Sequence, residues 1–201
     1  SEPVMRSLVY AMLNHHGEPN PSTSDLSADR PGRVNSELLA ELPEHWRGGK
    51  VDDQATVDLV RALHDCSAIE ASNKVASLIQ GGIAIQSIWD GLFAAAGELL
   101  MRQRGIVALH SVTTTNAIHH AFRTASDDKT RQFLLLQNAS FLPLFREAAR
   151  DRGKLADKHI DELNAGGETT TVPEIFQTMG DNRGKAAQQM YQFLSAGGDP
   201  Q

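Results

Sequence analysis

Apolar residues recur at steps of three and four from Ile85 to Leu100, through Ile88, Trp89, Leu92, Phe93, Ala96 and Leu99, the spacing that stacks side chains on one helical face. The opposite side of this stretch carries the small residues Gly91, Ala94, Ala95 and Gly97. A helix that is apolar or small nearly all round is internal, so it is expected at the centre of the molecule. A second helical pattern runs from Ile106 to Arg123, with Val107, Leu109, Val112, Ile118 and Phe122 as its apolar positions. A third, opened by Asp127-Asp128, continues through Phe133 to Leu136, Phe141 and Leu144, with Pro143 as its expected kink.

The remaining chain divides on the same grounds. Val4, Leu8, Ala11 and Met12 follow a helical period up to Gly17. Residues 18–33 are rich in Pro, Ser and Asp and are expected as a surface loop. Val34 to Leu42 predicts a short helix ended by Pro43, and Asp52 or Asp53 caps a helix from Gln54 to Cys66. Ser67 or Glu70 opens another, stopped by Gly81-Gly82. Leu155 to Leu163 predicts an amphipathic helix, 164–171 a loop, Pro173 to Met179 and Lys185 to Leu194 two more helices, and 196–201 a flexible tail. Two-residue alternation is nearly absent; Val112 to Thr115 is the best β-like run, and its helical flanks decide for helix. The expectation is all-α: an irregular bundle of eight to ten helices around a central apolar helix, without a sheet, forming one domain over 1–201.

Charge narrows the classes of function. The net charge is -6, and a nucleic-acid surface needs clustered Lys and Arg, which the chain lacks. Asp90 and Glu98 interrupt the most apolar stretch, so it predicts a core helix and no membrane span. The lone Cys66 excludes an internal disulfide, a cysteine zinc cluster and a CxxCH haem attachment. With no secretory leader in view, a soluble, cytoplasmic protein is expected. The chain opens on Ser1 without an initiator Met, which leaves room for a missing N-terminal segment.

Candidate chemistry concentrates on the second long pattern, where His110, Thr113, Thr114, Thr115, Asn116, His119 and His120 stand among the apolar residues. His110, Thr113, Thr114 and Ala117 share one helical face, and Ala117 is small enough to leave space for a ligand. Against this, threonine hydroxyls commonly bond back to carbonyls one turn earlier. His110 and His119 point roughly 180° apart on a continuous helix, so they cannot share an ion. Neither HxxxH nor ExxH occurs, so the usual helical zinc and di-iron spacings are missing. A metal site would have to draw one histidine from this helix and its other ligands from Glu98, Asp90, His15, His16 or His64. No residue is assigned as a ligand. Arg102, one turn after Glu98, is the expected ion-pair partner of that carboxylate, and neither GxGxxG nor GxxxxGK[ST] is present.

Leu109-His110-Ser111-Val112-Thr113, followed by Ala117-Ile118, resembles the LHxVT…A(L/I) stretch of questin oxidase-like proteins. With Trp89-Asp90, Glu98 to Arg102 and Leu134 to Gln137, it is also similar to uncharacterised bacterial helical proteins related to them. The resemblance covers the middle third of the chain. It implies NADPH-dependent, Baeyer–Villiger-type oxidation of a polycyclic aromatic ketone, and it carries over His110 and Thr113 as pocket residues.

Three functions are therefore expected in turn. The first is an oxidoreductase-like protein with a small-molecule pocket in which His110, Thr113 and Glu98 act and Thr114, Asn116, His120, Asp90 and Trp89 hold the ligand. The second is a non-catalytic helical module that binds another helix, in a homodimer or through the missing segment. The third is a metal- or haem-binding protein.

Overall fold

The computed structural model describes residues 2–26, 29–162 and 170–199. Among them are nine α-helices and no strand: α1 Glu2–Asn14, α2 Arg30–Leu38, α3 Asp53–Leu63, α4 Ala68–Gln80, α5 Ile85–Arg102, α6 Ile106–Thr124, α7 Asp128–Arg150, α8 Val172–Asp181 and α9 Arg183–Ser195. Two short 3-10 turns, Leu39–Glu41 and Ile160–Glu162, complete the order.

The starts follow side-chain chemistry that satisfies first-turn amides. Asp52 accepts from the Ala55 N–H, Ser67 and Glu70 form a reciprocal capping box, and Asp127 accepts from Thr130. α7 runs through Pro143 and reaches Arg150, two turns beyond Leu144.

α5 lies where the apolar pattern puts it. It packs against α3, α6 and α7, while α4 lies on α7 and α2 on both α4 and α7. Ile88, Trp89, Leu92 and Ala96 of α5 join Leu59, Val75, Leu135, Leu136 and Ala139 in one buried cluster. Each fully buried Leu or Ile there contributes about 1.5–3 kcal/mol. Gly91 lets α3 come close: a Cβ at that position would stand 3.0 Å from a methyl carbon of Leu59. A second, smaller cluster of Leu99, Ala108 and Ala149, with Leu100, Val107, Phe145 and Leu155 against it, marks the far end of α5.

One short parallel bridge ties the entry of α3 to the α4–α5 turn. Lys50 donates its N–H to the Gly82 carbonyl and accepts from the Ala84 N–H, both at 2.8 Å. The adjoining Gly49 must be glycine, because a Cβ would fall 2.3 Å from the Ile83 carbonyl carbon.

Two expected boundaries need correction. The surface loop ends before residue 33, since α2 starts at Arg30 with a buried Pro31 in its first turn, where a missing N–H costs nothing. Residues 155–159 are not helical. Their backbone bonds cross to α5 instead: the Ala156 N–H donates to the Arg102 carbonyl, the Ala156 carbonyl accepts from Arg102 Nε, and the Ile160 N–H donates to Glu98. Leu163 and most of the expected loop 164–171 lie outside the described residues, as do residues 200 and 201 of the tail. No helix among the described residues is long and apolar enough to cross a membrane.

Candidate metal centre

The backbone segment that crosses to α5 brings together three groups far apart in the chain. His64 is the C-terminal cap of α3, Glu98 sits in the last turns of α5, and His159 immediately precedes the Ile160–Glu162 turn. His64 Nε2 lies 2.6 Å and His159 Nδ1 3.5 Å from the same oxygen, Glu98 Oε1. All three ligand atoms fall within 4.8 Å of one another, and no other such group of His, Cys, Asp or Glu occurs among the described residues.

Glu98 is 2% exposed, so its charge must be met from within the protein. The Ile160 N–H donates to Oε2 at 2.8 Å. Arg102, one turn on, holds its guanidinium 3.7 Å from Oε1, the ion pair that the sequence leads one to expect. The two imidazoles make the site unusual. Their rings lie tilted by 38° with centroids 4.5 Å apart; His159 Nδ1 is buried without a hydrogen-bond partner, and His64 Nε2 meets only the Glu98 carboxylate. Burial lowers the His64 pKa, the Glu98 carboxylate works against this, and His159 and Arg102 add to the lowering. The neutral imidazole that results is the form that binds metals.

This arrangement suits a divalent transition-metal ion. Two imidazole nitrogens and one carboxylate oxygen form a donor set used by Zn and by non-haem Fe(II). Tetrahedral ligands about 2.0–2.1 Å from an ion stand roughly 3.3 Å apart, so the His64–Glu98 gap would open by about 0.7 Å on binding. Carbonyl ends of α3 and α5 converge here, and the partial negative charge of helix C-termini favours a cation. Arg102 opposes one. So does the buried Arg146, which borders a small cavity beside His64 and Glu98 but spends its donors on the Leu63 and Cys66 carbonyls, each at 2.7 Å, and on Glu147. The cavity measures about 20 Å³, room for one water.

Among the described residues and cavities, the expected His110 pocket is not seen. His110, Thr113, Asn116 and His120 are exposed, and none of them borders a described cavity. The reason is helical phase: α6 buries Ala108, Ser111 and Thr115, and His110 lies roughly half a turn around from them. The Thr113 hydroxyl bonds back to the His110 carbonyl at 3.4 Å. Thr114 is half-buried, and Asp90 is exposed and accepts from Gln86 at 2.7 Å. Trp89 is buried against His119 and Phe122. Of the site residues expected from the sequence, only Glu98 belongs to the centre described here.

His64 was legible as one of several separate-helix histidines. His159 was not, because it stands in no periodic pattern and its place depends on a non-helical segment. No family model, curated protein or solved structure matches the chain. Function is therefore inferred from its own side chains.

Proposed function

We propose that this protein binds one divalent transition-metal ion through His64 Nε2, Glu98 Oε1 and His159 Nδ1, and that the ion clamps the segment after α7 onto the ends of α3 and α5. The observation that carries this is the convergence of two imidazole nitrogens and one buried carboxylate oxygen, all within 4.8 Å of one another, with His159 Nδ1 buried and without a hydrogen-bond partner. Buried polar atoms in native proteins are nearly always paired, and an ion at their common centre would satisfy all three. The small cavity beside His64 and Glu98, about 20 Å³, is too small for a polycyclic substrate. The role is thus structural: the ion links residues 64, 98 and 159, and its binding energy becomes folding energy.

Calorimetric titration of Zn²⁺ into the metal-stripped chain tests this, with Co²⁺ absorption as a report on coordination. One ion per chain is expected, with affinity reduced at least tenfold in both His64→Ala and His159→Ala and unchanged in His110→Ala. Equal affinity in all four proteins, or no binding by the unmodified chain, overturns it.

A further inference from the structure

At the opposite end of α5 from the metal centre, the first turn of α5, the last turns of α6 and the start of α7 surround an open cavity of about 500 Å³, within the range that holds small organic ligands. Its walls carry three guanidiniums, from Arg47, Arg123 and Arg131, and no carboxylate, in a chain whose net charge is -6. Arg47 and Arg131 both pair with Asp128, just outside the lining, and Arg131 also donates to the Phe122 and Ala125 carbonyls at the end of α6. Arg123 makes no hydrogen bond or ion pair among the described residues. Asp128 is thus shared by two guanidiniums, Asp90 adds a second carboxylate beside Gln86 and His119, and Arg123 has no ion-pair partner among the described residues.

Two further features point to the same ligand. The first turn of α5 contributes to the wall, and its N-cap, Ala84, offers no side-chain acceptor. The early amides of that helix therefore present uncompensated positive character, which favours anions. The rest of the wall is aromatic. Trp89 meets the His119 ring at 4.7 Å and 60°, and Phe122 at 5.2 Å and 68°. His119 and Phe122 lie nearly parallel, 13° apart.

We propose that this groove binds a small aromatic anion, with its ring against Trp89, His119 and Phe122 and its carboxylate or phosphate against Arg123. A flat ring gains edge or face contact with the aromatic wall, and a guanidinium gives a carboxylate or phosphate two parallel donors. Neither half alone fits the wall: a bare phosphate leaves the partly exposed His119 and Phe122 rings uncovered, and a neutral arene leaves the charge unanswered. The site is independent of the metal centre.

Calorimetry of the full chain with three probes tests the proposal: 2-naphthoate, its neutral analogue 2-naphthylmethanol, and inorganic phosphate. Saturable 1:1 binding of naphthoate is expected, with the alcohol and phosphate each at least tenfold weaker. Arg123→Gln, a change at an exposed residue that supports no other contact, should weaken naphthoate about tenfold and erase its advantage over the alcohol. Arg123→Lys should keep part of both. The proposal is overturned if naphthoate fails to bind, if alcohol or phosphate binds as well as naphthoate, or if Arg123→Gln, folded by circular dichroism, binds all three as the unmodified chain does.

Discussion

The Glu98 carboxylate accepts the Ile160 backbone N–H at 2.8 Å, joining residues 62 positions apart. Through this bond a side chain of the central helix holds the segment that carries His159. The carboxylate is buried, so removing it strands the donors around it. Glu98→Gln keeps the volume and one acceptor, and is expected to cost about 1–3 kcal/mol of stability without metal. Glu98→Ala should cost more and expose residues 155–162 to limited proteolysis. A Glu98→Ala protein with unchanged urea midpoint and unchanged cleavage pattern would show that the contact holds nothing.

Metal should raise thermal stability by mass action. At a free Zn²⁺ concentration 100 times the dissociation constant the gain is about 2.7 kcal/mol, roughly 5–10 °C in Tm for a chain of this size. Excess chelator should reverse it. His64→Ala and His159→Ala should show no rise in differential scanning fluorimetry.

His110→Ala is expected to change stability by less than about 0.5 kcal/mol, as is usual for exposed positions, and to leave Zn²⁺ affinity unaltered. A denaturation midpoint shifted well beyond that would mean that α6 is turned differently about its axis.

That prediction marks the limit of what the sequence could tell. The central place of α5 was legible because its apolar positions run nearly all round, so no choice of face was needed. The caps at Asp52, Ser67 and Asp127 were legible because each is a local hydrogen bond between near neighbours. α6 is different: Val107, Ile118 and Phe122 lie within roughly 60° of one another, while Leu109 stands far round the helix from them. Only contact with α5 and α7 decides between them. Leu109 consequently ends 44% exposed, and the histidine and threonine face turns outward with it. The metal centre was half legible. Glu98 stood out as a carboxylate within an apolar helix, and its pairing with Arg102 follows from one turn of spacing, but His159 arrives by tertiary folding.

His119 is expected to make stability fall under mild acid. Burial lowers its pKa first, Arg123 lowers it further, and Asp90 acts in the opposite sense; Arg47 and Arg131 border the same groove. With its folded pKa below the ordinary 6.5, the unfolded chain takes up the proton sooner as pH drops. The contribution is complete above about pH 6.5 and is lost as pH falls toward the folded value. Urea midpoints at pH 7.5 and 5.5, in chelator, should decrease in that order, and His119→Phe should narrow the difference. An equal difference in the variant assigns the acid sensitivity to other groups.

Gly49→Ala should destabilise by at least about 1–3 kcal/mol, because the new methyl meets backbone atoms of Ile83 and Ala84 that cannot swing aside. Leu92→Ala, at a fully buried position, should cost about 2–5 kcal/mol. Both are read from denaturant midpoints.

The Lys50 bridge to Gly82 and Ala84 encloses α3 and α4 in a closed ring of chain. The clasp limits how far the two helices can move apart, so opening of one should be felt by the other. In a hydrogen-exchange experiment the amides of Lys50 and Ala84 would then share a common opening free energy with the interior of α4, and the ring would act as a hoop that makes two short helices behave as one longer-lived unit.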